Sequence, residues 1–127
     1  MERVRLNLEF VIKSSPTILF QYLSTPSGLV EWFCDDVNIK GSKEYTFFWD
    51  GDENKAELVK KVNGKLVKFK LLDNAADEYF QFEVTKDELT GDIGILIKDY
   101  VDADEVEEME MLWDSQVTQL KHALGLA

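Results

Sequence analysis

Few residues in this chain have side chains suited to covalent or metal chemistry. It holds one histidine and one cysteine in 127 residues. A nucleophile needs a base within reach and a third group to orient that base, and His122 and Cys34 offer no evident pairing. Thiolate and imidazole metal sites need several such ligands, so no catalytic residue, metal or cofactor is expected. His122 lies off the main apolar stripe of the last helical stretch and reads as a solvated side chain near the negative end of its dipole. Cys34 follows Trp32-Phe33 and reads as the filler of a small apolar space.

The carboxylates are the other candidates. Asp50-Gly51-Asp52-Glu53 resembles a cation loop, but it lacks the calcium-loop spacing and the final glutamate, so a hairpin turn is the better reading. Glu57, Glu83 and Asp92 are the acids to nominate if a pocket needed a general base, and nothing singles one out. From Asp99 to Asp114 come Asp99, Asp102, Asp104, Glu105, Glu107, Glu108, Glu110 and Asp114 with no Lys or Arg among them. Such a run is the wet face of a helix or a docking strip for a basic protein partner.

Charge and composition exclude several classes. Twenty-five acids against 14 basic residues give a formal net charge of -11, which repels phosphate backbones and anionic membrane surfaces, so no nucleic acid is expected. No apolar run approaches the roughly 20 residues of a membrane-spanning helix, so no membrane insertion is expected either. A single cysteine and an N-terminus without an apolar signal core suit a reduced, cytoplasmic setting. Hydrophobic residues make up 45% of the chain, enough for one ordered domain over residues 1–127. The residues carry no signal of oligomeric state.

The elements that must position these residues follow from periodicity. Val4, Leu6, Leu8, Phe10 and Ile12 alternate with polar neighbours and predict a strand. Ser14-Ser15-Pro16 and Ser24-Thr25-Pro26 are two helix-start signals. They predict one short helix from about Pro16 to Leu23 and a second ending near Cys34, with Leu29, Val30, Trp32 and Phe33 as its apolar side. Strands are then predicted around Val37 and Ile39, around Tyr45, Phe47 and Trp49, from Lys55 to Val62, Leu66 to Leu71, Tyr79 to Lys86, and Asp92 to Tyr100. Asp50-Gly51 and Asn63-Gly64 supply hairpin turns, and Asp73 to Glu78 reads as a polar loop. Val106, Met109, Trp113, Val117, Leu120 and Leu124, widened by Leu112 and Ala123, form one stripe along a long terminal helix. Asp102 or Asp104 is expected to cap that helix, and Gly125 to end it in a left-handed conformation.

Strands joined by tight turns make an antiparallel meander, and helices segregated at the two ends make the class α+β. A sheet of this size curls, and a curled sheet around one long helix leaves a concave space between them. Phe47, Trp49, Phe69, Phe82, Ile95, Met109 and Trp113 are the candidate ligand-pocket residues, and the aromatics among them read equally as core, which a loosely gripped helix allows at the same time. Trp113, the largest residue of the stripe, is expected where helix, sheet and cavity meet.

The run Ser14-Ser15-Pro16, Leu19-Phe20, Tyr22-Leu23, Thr25-Pro26, Gly28-Leu29 and Trp32-Phe33 resembles the opening of the START-like, or SRPBCC, superfamily. Within it, the resemblance is to the branch related to the C-terminal domain of the Hsp90 ATPase activator. It implies a single START-like domain with the helix-grip fold: a curved antiparallel sheet wrapped around the long C-terminal helix, with two short helices after the first strand. Oxygenase members carry two histidines and a carboxylate on a metal, and this chain has only His122. The superfamily hosts many chemistries, so function rests on the site rather than the fold. The leading expectation is non-enzymatic binding of a small hydrophobic molecule between sheet and C-terminal helix. The alternatives are a co-chaperone-like interaction module using the acidic helix, and a small-substrate cyclase or hydrolase-like enzyme.

Overall fold

The computed structural model describes residues 2–72 and 78–126. Its first strand, β1 (Arg3–Val11), is followed by helices α1 (Pro16–Ser24) and α2 (Pro26–Val30). Six strands then run in succession: β2 (Asp36–Lys40), β3 (Glu44–Trp49), β4 (Asp52–Val62), β5 (Leu66–Leu71), β6 (Tyr79–Lys86) and β7 (Ile93–Asp102). A 3-10 turn, Ala103–Glu105, leads into the terminal helix α3 (Val106–Ala123). The strands form one seven-stranded antiparallel sheet in the order β1-β7-β6-β5-β4-β3-β2. This is the α+β helix-grip architecture: β2 to β7 meander, and β1 closes onto β7 while its sequence neighbour β2 lies at the opposite edge. The two short helices bridge that gap.

Local chemistry explains the joints. Ser15 Oγ accepts from the Ile18 N–H at 3.1 Å and Thr25 Oγ1 from the Gly28 N–H at 3.0 Å, with Pro16 and Pro26 opening each helix. Gly28 lets α2 lie against α1, because a Cβ there would come 2.4 Å from the Gln21 carbonyl oxygen. Asp50 and Gly51, at φ 38° and 91°, form the two-residue β3–β4 hairpin. The β4–β5 loop is one residue longer than the Asn63-Gly64 pair suggested, since Val62 pairs directly with Leu66. Gly125 sits at φ 79° with its N–H on the His122 carbonyl, and the Leu126 N–H reaches Lys121, a left-handed helix stop.

Three expectations need correction. Helix α2 stops at Val30, so Trp32 and Phe33 belong to the turn after it, freed to point inward from irregular backbone. Neither Asp102 nor Asp104 caps α3. The helix begins from a 3-10 turn with no side-chain cap, and Asp102 instead bonds Arg3 at 3.0 Å. The loop expected from Asp73 to Glu78 lies outside the described residues up to Asp77, while Glu78 is buried and held by Arg3 through two hydrogen bonds of 2.9 and 2.6 Å. A buried carboxylate needs such a partner, and this one lies 75 residues back in the chain.

The core lies between the concave sheet face and the three helices. Helix α1 covers β5 and β6, and α3 crosses β1 and β7. Trp113, Val117 and Leu120 are the α3 residues that bury fully, so Leu112, expected on the stripe, is 48% exposed at its margin. No helix among the described residues is long and apolar enough to cross a membrane.

Candidate functional site

Where the first half of α3 spans the sheet, packing stops short and leaves a cleft of about 530 Å³. Strand β3 contributes Phe47 and Trp49, β4 Asp52 and Asn54, β5 Leu71, β6 Phe80 and β7 Asp99. Phe33 enters from the turn after α2, and α3 supplies Met109, Leu112, Trp113 and Gln116. These strand positions alternate on the concave face, as the pairs Phe47↔Asn54, Trp49↔Asp52 and Ala56↔Leu71 require.

Four of the seven residues expected to wall a pocket meet here: Phe47, Trp49, Met109 and Trp113. Phe69, Phe82 and Ile95 do not line it. All three are fully buried, because the elements between β1 and β2 fill the space over the middle of the sheet. Phe82 packs on Trp32 at 5.1 Å and Phe33 at 5.2 Å, and Phe69 packs on Tyr45 and Phe80, each at 5.0 Å. Trp113 lies between the sheet aromatics and the cleft. It is stacked 5.9 Å from Phe33, edge-on to Phe82, and on the cleft wall.

Phe33, expected on the apolar side of the second short helix and not among the pocket residues, is the hub. Its ring meets those of Trp32, Phe47, Trp49, Phe80, Phe82 and Trp113. Its carbonyl accepts from Trp49 Nε1 at 2.5 Å and from Gln116 Nε2 at 3.0 Å, tying the α2–β2 connection to β3 and α3 around the cleft. The signal that could have found it is the pair of aromatics placed just past a helix end.

Asp99 is the carboxylate inside the cleft wall. It continues the buried-face alternation of Ile95 and Ile97, so its position was readable from the strand pattern. Trp113 Nε1 donates to Oδ2 at 3.1 Å, and the Tyr100 N–H donates to Oδ1 at 2.8 Å. Burial pushes its carboxyl above the usual range, against the opposing pull of those two donors and of Arg3. Among the described residues, neither Lys, Arg nor His lines the cleft.

The other nominated acids are elsewhere. Glu57 and Glu83 alternate to the convex face beside buried Ala56 and Phe82, and Asp92 is exposed before β7. The acidic run from Asp99 to Asp114 is not one surface. Asp99 belongs to the cleft and Asp102 to Arg3, which leaves Asp104, Glu105, Glu107, Glu108, Glu110 and Asp114 exposed. At the β7–α3 junction Asp102, Asp104 and Glu105 bring one oxygen each within 4.8 Å of one another, a grouping unforeseen from spacing. Asp102 there is held below the usual carboxylate range by Arg3, while Glu105, hydrogen-bonded to Asp102, is held above it. Cys34 is buried, its thiol pushed up to about 12 by burial and by Asp36 and Asp35, which makes it a poor nucleophile. His122 is exposed at the end of α3.

The cleft thus sets one partly buried carboxylate, Asp99, among aromatic walls. Solved structures share the architecture. The solution structure of BfR322 from Bacteroides fragilis is 34% identical, with a TM-score of 0.66, covering 100% of this chain and 95% of that one. The Aha1 dimer from Colwellia psychrerythraea is 22% identical, with a TM-score of 0.79 and coverage of 95% and 96%. Protein MLL2253 from Mesorhizobium loti is 17% identical, with a TM-score of 0.77 and coverage of 96% and 97%. No curated protein matches the chain. The model of the START-like superfamily domain matches residues 1–126, and the chain belongs to that superfamily.

Proposed function

We propose that the protein binds a small hydrophobic molecule, without transforming it, in the cleft between the concave sheet face and α3. The observation that carries this reading is a cleft of about 530 Å³ walled by Phe33, Phe47, Trp49, Phe80 and Trp113. That size lies within the roughly 300–1,000 Å³ of ordinary ligand sites, which pair an apolar lining with a few placed polar groups. Membership of a superfamily that commonly binds hydrophobic ligands supports it. A reduced, cytoplasmic setting belongs to the same proposal, supported by a single, buried cysteine.

The test is a fluorescence titration of the Trp32→Phe variant, in which Trp49 and Trp113 both report from the cleft wall. Apolar ligands of different shape, among them fatty acids, sterols and aromatic ketones, are added in turn. A saturable change for at least one of them, abolished by filling the cleft with Leu71→Trp, is the expected result. Flat titrations throughout would remove the binding reading.

A second reading has its own observation. On α3, Met111 is 70% exposed and Leu112 48%, flanked by exposed Glu107, Glu108, Glu110 and Asp114. An apolar pair rimmed by acids suits docking of a basic protein surface, as in an interaction module of the co-chaperone kind. Such binding would weaken steeply with salt, whereas cleft binding of a neutral ligand would not.

A further inference from the structure

We infer that the cleft selects an organic cation, a protonated amine carried on an apolar body, held by the Asp99 carboxylate and the surrounding aromatic rings. This rests on the cleft being a ligand site and concerns which chemistry it accepts. The first observation is the sign of the lining. Among the described residues that line it, Asp99 and Asp52 are the charged groups, Asn54 and Gln116 the amides, and none is lysine, arginine or histidine. A carboxylate ligand would therefore bring its charge beside partly buried Asp99, with exposed Asp52 also on the lining and no cationic side chain among the described lining residues to receive it.

The second observation is the unfinished coordination of Asp99. An ionised carboxylate offers about four acceptor positions. One Asp99 oxygen receives the Tyr100 N–H and the other the Trp113 indole N–H, so each retains acceptor capacity. Arg3 is engaged with Glu78 and Asp102, and neither of these ion pairs includes Asp99. Its carboxyl is held above the usual range by burial, which the two donors and Arg3 offset only in part. An ammonium group supplies both the charge and the donors.

The third observation is the walls. Trp49, Trp113, Phe33, Phe47 and Phe80 line one space. Aromatic faces attract cations through their quadrupoles, with tryptophan the strongest, and rings gathered beside a carboxylate are the usual recognition chemistry for amines. A net charge of -11 further raises the local concentration of cations over anions.

Three probes with one ring system separate the possibilities: 2-naphthylmethylamine, 2-naphthalenemethanol and 2-naphthylacetic acid, each titrated calorimetrically into the full chain near neutral pH. The amine is expected to bind at least about tenfold more tightly than the acid, the scale of one charge-assisted contact. In Asp99→Asn that amine-to-acid ratio should collapse several-fold. Equal or tighter binding of the acid by the unaltered protein would overturn the inference while leaving the cleft a ligand site, and this arm does not depend on any variant folding. Retention of the full ratio in a folded Asp99→Asn protein would overturn the role of Asp99. If none of the three binds, the ligand-site reading fails and takes this inference with it.

Discussion

The concave face of the sheet has two halves built from the same kinds of residue and put to different uses. Over β5, β6 and the middle of β7, the short helices and the turn after them press Trp32 and Phe33 onto Phe82, and Phe69, Ile95 and Ile97 have almost no exposure. Toward β3 and β4, Phe33 and the first half of α3 lie overhead without filling the space, and Phe47 and Trp49, with Phe80 from β6, line the cleft that is left. Aromatic richness on a concave face therefore does not mark a pocket. What marks it is the failure of cover, together with polar residues such as Asp52, Asn54 and Asp99 entering the buried alternation.

The comparison breaks or sharpens under substitution. Phe82→Ala, in the covered half, should cost about 3 to 5 kcal/mol in chemical denaturation, as for fully buried large aromatics. Trp113→Ala, packed on one side and open on the other, should fall near 3 kcal/mol, because part of its surroundings is already unfilled. If Trp49→Ala, on the half-buried rim, cost as much as Phe82→Ala, the two halves would not differ as described.

Gly28→Ala tests what seats the covering helices. A new Cβ meets the backbone of Gln21 and Tyr22, 2.4 and 2.6 Å away, and neither can yield without moving α1. A loss of about 1 to 3 kcal/mol is expected in thermal and denaturant melts. Arg3→Ala removes two donors from buried Glu78 and should cost about 1 to 2 kcal/mol, tempered by the exposure of Arg3 itself.

The pH dependence of Asp99 has a definite sign. Its folded carboxyl lies above its unfolded value, so the ionised form subtracts from stability, and that subtraction disappears as pH falls through the raised value. Asp99→Asn should accordingly gain on the unaltered protein as pH rises from acid toward neutral. Arg3, Glu78 and Asp52 are kept unchanged in that comparison, since their charges reach the same region. A constant gap between the two melting curves across that window would contradict the assignment. The smallest effect is expected from dialysis against a chelator, which should leave the melting midpoint unmoved. A drop restored by calcium would instead give the Asp102, Asp104 and Glu105 grouping a function.

Much of the architecture was legible because it is local. Period-two runs such as Val4 to Phe10, the Asp50-Gly51 hairpin, the Ser15 and Thr25 caps and the Gly125 stop each depend on a few adjacent residues. The cleft was only partly legible. Which aromatics are covered depends on where α1 and α2 lie, and no single strand records that. Phe33 was read as one more apolar residue of the second short helix, and its place at the cleft was missed because that helix stops at Val30 and the residue acts from a turn. Glu78 was hidden because its partner is Arg3, at the far end of the chain. Asp99 is different: it stood in line with Ile95 and Ile97, and counting it among the acids of the following helix obscured the alternation.

The pairing of the first strand with the last sets a timetable for folding. Arg3 lies opposite Asp102, and every contact of β1 in the sheet is with β7. During synthesis the meander from β2 onward can form hairpin by hairpin, but β1 has no sheet neighbour until β7 has emerged. Until then both edges of β1 and one edge of β6 stay unpaired, both alternating apolar strands of the kind that join other chains. Pairing over such a distance in sequence also closes slowly. A nascent chain therefore passes through a window, ending with the appearance of β7, in which its hazard is association with its own kind.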